Sequence, residues 1–128
     1  MEQRPEGLSA SELQLAALVI AKKAARDMAS EMAIEFAQLG ELMCGICKKR
    51  ATADAGLRNL ARLSPREWEV LLLAVDGEGV KQMERLLGVS ESAIKHYLAT
   101  AFNKAGEGSR ALATARYVEW RTLLGLSG

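Results

Sequence analysis

Two cysteines three residues apart are the residues whose spacing most directly suggests chemistry. Cys44 and Cys47 form a C-x-x-C pair, which can bind a metal, cycle between dithiol and disulfide, or be inert. A structural zinc needs four ligands, so this pair could hold zinc only if a second copy of the chain supplied two more. The run Lys48-Lys49-Arg50 would lower the pKa of both thiols. We interpret the pair as inert, partly buried thiols, with redox sensing as the first alternative and metal binding as the second.

Beyond the cysteines, the chain has no pattern that suggests catalysis. His96 is the only histidine, which argues against a catalytic dyad or a histidine-rich metal site. There is no glycine-rich phosphate loop and no nucleophile motif, and no βαβ pattern surrounds the cysteines. We therefore expect the protein not to be an enzyme and to need no cofactor or metal.

The second half of the chain has the pattern of short helices joined by tight turns. Ser64 and Glu67 are spaced as a capping box that begins the first of these helices. The turn Asp76–Gly79 separates it from a second helix, expected from about Val80 to Leu87. Gly88 suits the left-handed backbone of a tight turn before the next helix. Two helices joined in this way can aim the second one into the major groove of DNA.

The third and fourth helices of this half follow from the same kind of signal. Ser90 is a good N-cap for a helix that Gly106 would end, and a last helix would run to about Leu124. The residues expected to face inward from the third helix are Ile94, Leu98, Ala101, Phe102 and Ala105. A four-helix unit with the third helix exposed on one side is therefore expected.

Residues 62–121 resemble the LuxR/NarL-type (GerE-like) DNA-binding domain of bacterial transcription regulators. The segments that carry the resemblance are Leu63-Ser64-Pro65-Arg66-Glu67-x-Glu69-Val70-Leu71, the helix that begins near Lys81, Val89-Ser90-Glu91-Ser92-Ala93-Ile94-Lys95, Lys104-x-Gly106 and Ser109-Arg110. The resemblance implies a four-helix domain whose third helix enters the major groove, with dimer contacts through the fourth. A sigma-factor-like protein that binds promoters has a similar first segment and a similar turn. Assignment to that class is a close variant of this interpretation.

The resemblance also implies which residues contact DNA. Lys95 falls where the family touches bases or nearby phosphates, and His96 and Ala99 occupy neighbouring positions that face the groove. The candidates for phosphate contacts, which set register without reading sequence, are Lys81, Ser90, Ser92, Lys104, Ser109 and Arg110. The chain departs from the family at Glu84, where helix-turn-helix units generally have a small residue at the crossing of the two helices.

The first half of the chain is predicted to be one long helix that mediates association. Ser9 and Glu12 form a capping box, and no glycine or proline interrupts the residues from there to about Leu39. The apolar residues that recur at steps of three and four are Leu13, Ala17, Ile20, Ala24, Met28, Met32, Phe36, Leu39, Met43 and Ile46. We expect this face to be covered by a second copy of the chain, with packing on the chain's own second half as the alternative. Residues 48–62 are expected to contain a helix end, a turn and a short helical connector.

The charge of the chain is almost balanced, so net charge by itself does not predict DNA binding. The chain has 17 Lys and Arg against 16 Asp and Glu, and from Leu63 onward there are eight of each. Affinity for DNA depends on neutralising phosphates, so binding would need positive charge clustered on one face. No apolar run is long enough to cross a bilayer, and no signal peptide is evident, so we expect a cytoplasmic protein that does not bind membranes.

Together these patterns predict an all-α transcription regulator. Residues 1–61 would be a helical association or dimerisation region and residues 62–128 a LuxR-type helix-turn-helix domain. The domain would read the major groove with helix 90–105, as a homodimer on double-stranded DNA. The alternative is a helical adaptor or anti-activator that binds another regulator or RNA polymerase through the same fold.

Overall fold

The computed structural model describes residues 7–50 and 55–127, which are helical throughout with no strand among them. The helices are α1 (Ala10–Ile20), α2 (Ala25–Met32), α3 (Phe36–Lys49), α4 (Ala55–Arg58), α5 (Pro65–Val75), α6 (Val80–Leu87), α7 (Glu91–Gly106) and α8 (Arg110–Ser127), with a 3-10 turn (Asn59–Arg62) between α4 and α5. The predicted all-α fold is confirmed. The expected connector matches α4 and the 3-10 turn, although residues 51–54 of it lie outside the described residues.

The first half of the chain forms three helices, so the prediction of one long helix is wrong. α1 ends where Lys22 takes a left-handed backbone with φ 63°, and its amide donates to the Val19 carbonyl at 2.9 Å. The next amide, of Lys23, reaches back to the carbonyl of Leu18 at 3.1 Å, which completes a Schellman closure. α2 ends in the same manner at Ala33, with φ 56°.

Contacts with the second half of the chain explain why the helix breaks without a glycine or proline. The Asp76 carboxylate accepts a hydrogen bond of 2.7 Å from the amide of Ala25, the first residue of α2. Beside it, the Arg26 guanidinium donates to both carboxylate oxygens of Glu78, at 3.0 and 3.2 Å. The Asp76 carboxylate thus takes the amide of Ala25, which a continuous helix would have paired with a carbonyl of the preceding turn. The Arg26–Glu78 pair adds a second tertiary contact, so tertiary contact outweighs local propensity.

α1 buries a different face from the predicted one. Leu15, Ala16 and Val19 are buried, while Leu13 and Ile20 remain 49% and 41% exposed. Because each break resets the helical phase, a spacing of three and four that runs across it does not describe one face. The members of the predicted face that do lie in the core are Met28, Leu39, Met43 and Ile46.

The first and second halves of the chain share one apolar core. α3 crosses the start of α5 so closely that a side chain at Gly40 would overlap the carbonyl oxygen of Pro65. At the other side of the core, Trp68 of α5 packs against the rings of Tyr117 and Trp120 of α8, with ring centroids 5.9 and 6.0 Å apart. Packing on the chain's own second half, the alternative raised for the apolar residues of the first half, therefore accounts for most of them.

Candidate nucleic-acid interface

The helix-turn-helix unit is built from α6 and α7, joined by the turn at Gly88. Gly88 has φ 70°, and its amide donates to the Glu84 carbonyl at 2.8 Å, which ends α6. Ser90 then caps α7, since its hydroxyl accepts a hydrogen bond of 3.2 Å from the Ala93 amide. Both roles were predicted from residue type, and both are confirmed.

α7 has one buried face and one exposed face. Ile94, Ala101 and Ala105 are fully buried and fix the rotation of the helix against the core. The exposed side carries the four predicted groove-facing or phosphate-contacting residues of this helix, Ser92, Lys95, His96 and Ala99. At 1.5 Å per residue, the 16-residue helix is about 24 Å long, which is enough to follow the major groove over several base pairs.

The two candidate lysines near the start of α7 share one carboxylate. Glu91 accepts from Lys95 with Oε2 at 2.9 Å, and its Oε1 lies 3.4 Å from the Nζ of Lys81 on α6. The hydrogen bond from Lys95, followed by that from Lys81, lowers the pKa of Glu91 below its ordinary value. The same bond raises the pKa of Lys95. A shallow depression of about 460 Å³ is lined by Glu91, Ser92 and Lys95.

Glu84 places a second carboxylate at the crossing of α6 and α7. Its Oε2 atom lies 3.8 Å from the Nζ of Lys81, and this oxygen is buried without a hydrogen-bond partner among the described residues. The side chain as a whole is 27% exposed. A small residue would leave this end of α7 more positive than it is.

Lys104, a predicted phosphate contact, is held inside the domain. Its ammonium group donates to Glu67 at 2.8 Å and to the Arg62 carbonyl at 3.2 Å. Burial would raise the pKa of Glu67, but the hydrogen bond from Lys104 and those from Ser64 bring it below its ordinary value. Lys104 thus joins α7 to the capping box that begins α5, where the Ser64 amide donates to Glu67 at 2.8 Å.

Ser109 and Arg110 lie at the far end of α7 from Ser90 and also have partners within the chain. The Ser109 hydroxyl accepts a hydrogen bond of 3.1 Å from the Leu112 amide and so caps α8. The Arg110 guanidinium donates to the Ala74 carbonyl at 3.1 Å, near the end of α5. The structure thus brings Lys81, Ser90, Ser92, Lys95 and His96 together around the start of α7, and sets Lys104, Ser109 and Arg110 apart from them.

The two cysteines of α3 are free and buried, in keeping with the interpretation of inert thiols. Burial raises the pKa of Cys44 and of Cys47, and the small opposite effect of Lys48 on Cys44 does not offset it. The expectation that the basic run lowers both pKa values is therefore wrong. The Cys44 thiol donates to the Leu63 carbonyl at 3.3 Å, as expected for a packed, structural residue. Among the described residues, no group of three or more side chains could hold a metal ion.

Sequence reasoning assigned no role to Glu91, although it stands within the motif. Its signal was available, because Glu91 precedes Lys95 by four residues, the spacing at which opposite charges meet on a helix. The pairing of Lys104 with Glu67 had no such signal, since 37 residues separate them.

One family of known proteins matches part of the chain. Residues 61–116 match the family described as bacterial regulatory proteins, luxR family. No curated protein and no solved structure shows a significant match to the chain. None of the described helices combines the length and apolar character that crossing a membrane requires. The matched residues include the Gly88 turn and the exposed helix α7. Residues 61–116 therefore form a LuxR-family helix-turn-helix domain, of the kind that DNA-binding transcription regulators carry.

Proposed function

We propose that this domain binds double-stranded DNA by placing α7 in the major groove, and that the chain regulates transcription as a homodimer. The observation that carries the proposal is the exposed face of α7. It presents Lys95 and His96 from a helix whose opposite face is locked into the core by Ile94 and Ala101. A rigid helix with exposed donors is what reading base edges requires.

The side chains around the start of α7 divide into two roles in this proposal. Lys95 and His96 face the base edges, where a lysine can donate to the O6 and N7 atoms of guanine. Lys81, Ser90 and Ser92 contact phosphates and set the register of the helix on the duplex. Ala99 offers only a methyl group, which suits contact with thymine.

Exposed apolar residues on α1 and α8 support the homodimer. Leu126 of α8 is 78% exposed, and Leu13 and Ile20 of α1 are also largely exposed. Ile20 lies beside Gly125, so the apolar residues of both helices belong to one surface. For such a dimer to bind one pseudo-palindromic site, its two α7 helices must lie about 34 Å apart.

A second candidate function is that of an adaptor or anti-activator, which binds another regulator or RNA polymerase through the same fold. The observation that favours it is the pairing of cations. Lys81, Lys95 and Lys104 each contact a carboxylate of the same chain, and the segment from Leu63 onward has no net charge. A surface with balanced charge suits a protein partner better than a polyanion.

A DNA-binding titration at two salt concentrations distinguishes the two functions. We expect specific binding to some genomic fragments that weakens as salt rises, and a loss of about fivefold or more in Lys95→Ala, since a base contact contributes about 1–3 kcal/mol. Lys23→Ala is the matched control, because Lys23 is an exposed lysine paired with Glu31 on a helix far along the chain from α7. It should change the affinity by less than about twofold.

Absence of binding to any fragment at low salt would overturn the DNA proposal. The adaptor function would then be supported if the purified chain retained purified RNA polymerase or a named regulator on a column, and if Lys95→Ala or Ser92→Ala weakened that retention.

A further inference from the structure

We propose that Glu91 competes with DNA for Lys81 and Lys95, so that DNA must displace its carboxylate before either lysine can contact the duplex. This inference rests on the proposed binding of DNA by α7. In this inference the Glu91 carboxylate affects both the affinity and the sequence selectivity of DNA binding.

The geometry assigns one oxygen of Glu91 to each lysine. Oε2 lies 2.9 Å from the Lys95 ammonium, one turn further along α7, and Oε1 lies 3.4 Å from the Lys81 ammonium on α6. The carboxylate therefore bridges the two helices across the Gly88 turn. Both lysines are candidate DNA contacts, and one side chain occupies both of them in the free protein.

The cluster is open to a competing anion. The Lys81, Lys95 and Glu91 side chains are 78%, 65% and 43% exposed. Exposed ion pairs of this kind are weak and are screened by salt, so DNA can break them. The pairs therefore act as a reversible block of the two lysines.

The carboxylate remains at the interface after it has been displaced. Glu91 lies in the first turn of α7 and cannot move away from the duplex when Lys81 turns to a phosphate and Lys95 turns to the base edges. Glu84, 3.8 Å from Lys81, adds a second negative charge next to it. These two lysines and two carboxylates together have no net charge. A DNA sequence that the domain contacts only through phosphates is therefore bound weakly. Base contacts made by Lys95 and His96 then account for a larger share of the affinity, which raises selectivity.

The experiment measures binding of the full-length chain to a random-sequence duplex and to a genomic fragment that it retains, each over a range of salt. In Glu91→Gln we expect random-sequence binding to tighten by about threefold to tenfold, with the slope of log K against log salt steeper by up to about one. Binding to the retained fragment should tighten less, so that the ratio of the two affinities falls.

Two further variants test the cause of the effect. Glu31→Gln removes a carboxylate that is also exposed and also paired with a lysine, at 3.3 Å, on α2 instead of α7. It should leave both affinities unchanged. In a chain with Lys81→Gln and Lys95→Gln, the gain from Glu91→Gln should be smaller than in the wild type, since the lysines it releases are absent and only the repulsion between the carboxylate and DNA is relieved.

Several results would overturn the inference while the proposed function stands. If the wild-type chain binds DNA and Glu91→Gln leaves its affinity unchanged, the pairs have no part in binding. If Glu91→Gln weakens binding to the retained fragment, the carboxylate contacts DNA directly, for instance by accepting from the N4 amine of cytosine. If Glu31→Gln gives the same gain, overall charge is the cause. Absence of DNA binding by every variant would overturn the proposed function and this inference together.

Discussion

At the scale of single residues, Glu69 of α5 is a carboxylate in an electrostatically unfavourable position. Its side chain is 2% exposed and has one cationic partner, Arg66, whose guanidinium lies 2.8 Å from Oε1. Burial raises the pKa of Glu69 to about 7 from an ordinary 4.5, and the attraction of Arg66 offsets only part of that rise. The negative charge of nearby Glu41 adds to it. A carboxylate in this position destabilises the fold once it ionises.

The sign of the resulting pH dependence follows from the raised pKa. The stabilising contribution of protonated Glu69 is fully present below the pKa of the unfolded chain and is lost as pH rises through that of the folded chain. We therefore expect its contribution to the free energy of unfolding to fall by on the order of 3 kcal/mol between about pH 4.5 and 7. Urea titrations of Glu69→Gln should lack this loss, and Glu119→Gln, an exposed carboxylate on α8, should retain it. Parallel curves for the wild type and Glu69→Gln would contradict the prediction.

At the scale of helices, the sequence predicts what short-range contacts determine. The capping boxes at Ser9 and Ser64 and the turn at Gly88 are correctly predicted, because each depends on residues within three or four positions. The left-handed turns at Lys22 and Ala33 carry no such signal, and the turn at Lys22 is followed by a contact between Ala25 and Asp76, which is far away in the sequence.

The candidate interface shows the same difference between contacts made within a helix and contacts made between residues far apart in the sequence. The exposed face of α7 could be predicted from the motif and its period. The pairing of Lys81 with Glu91 crosses between two helices and the pairing of Lys104 with Glu67 spans the domain, so neither follows from helical spacing. The sequence therefore identifies the residues at the candidate interface better than it identifies their partners.

The crossing of α3 and α5 gives a prediction at this scale. In the middle of α3, Gly40→Ala should stabilise the helix by about 1 kcal/mol on propensity alone. The new methyl group would instead overlap the backbone carbonyl of Pro65, so we expect a net loss of about 2 kcal/mol in the free energy of unfolding. Gly79→Ala is the control, because no atom lies within 4 Å of its added carbon. Urea denaturation measures both, and a stabilised Gly40→Ala protein would show that the two helices separate without cost.

At the scale of the whole molecule, the shared core changes the role expected of the first half of the chain. α1 and α3 pack on the domain through buried residues such as Leu15 and Leu39, so their apolar faces are largely satisfied within one copy. The domain boundary between residues 61 and 62 remains a prediction made from the sequence. In the structure, the two halves pack against each other around one core. What is left for a partner is the outer surface of α1 and the end of α8.

That remaining surface makes dimerisation testable without DNA. Leu126 is the most exposed large apolar residue of the described chain, so Leu126→Glu adds charge and removes apolar area without disturbing the core. Sedimentation equilibrium should show a wild-type dimer and a shift toward monomer in Leu126→Glu, with the dissociation constant raised by tenfold or more, since a central apolar contact contributes about 2 kcal/mol or more. Ala37→Glu, at an exposed position of α3, adds the same charge elsewhere and should leave the dimer unchanged. A wild-type chain that stays monomeric at high concentration, and binds a pseudo-palindromic duplex as one copy, would exclude the homodimer and would require a partner of another kind on α1 and α8.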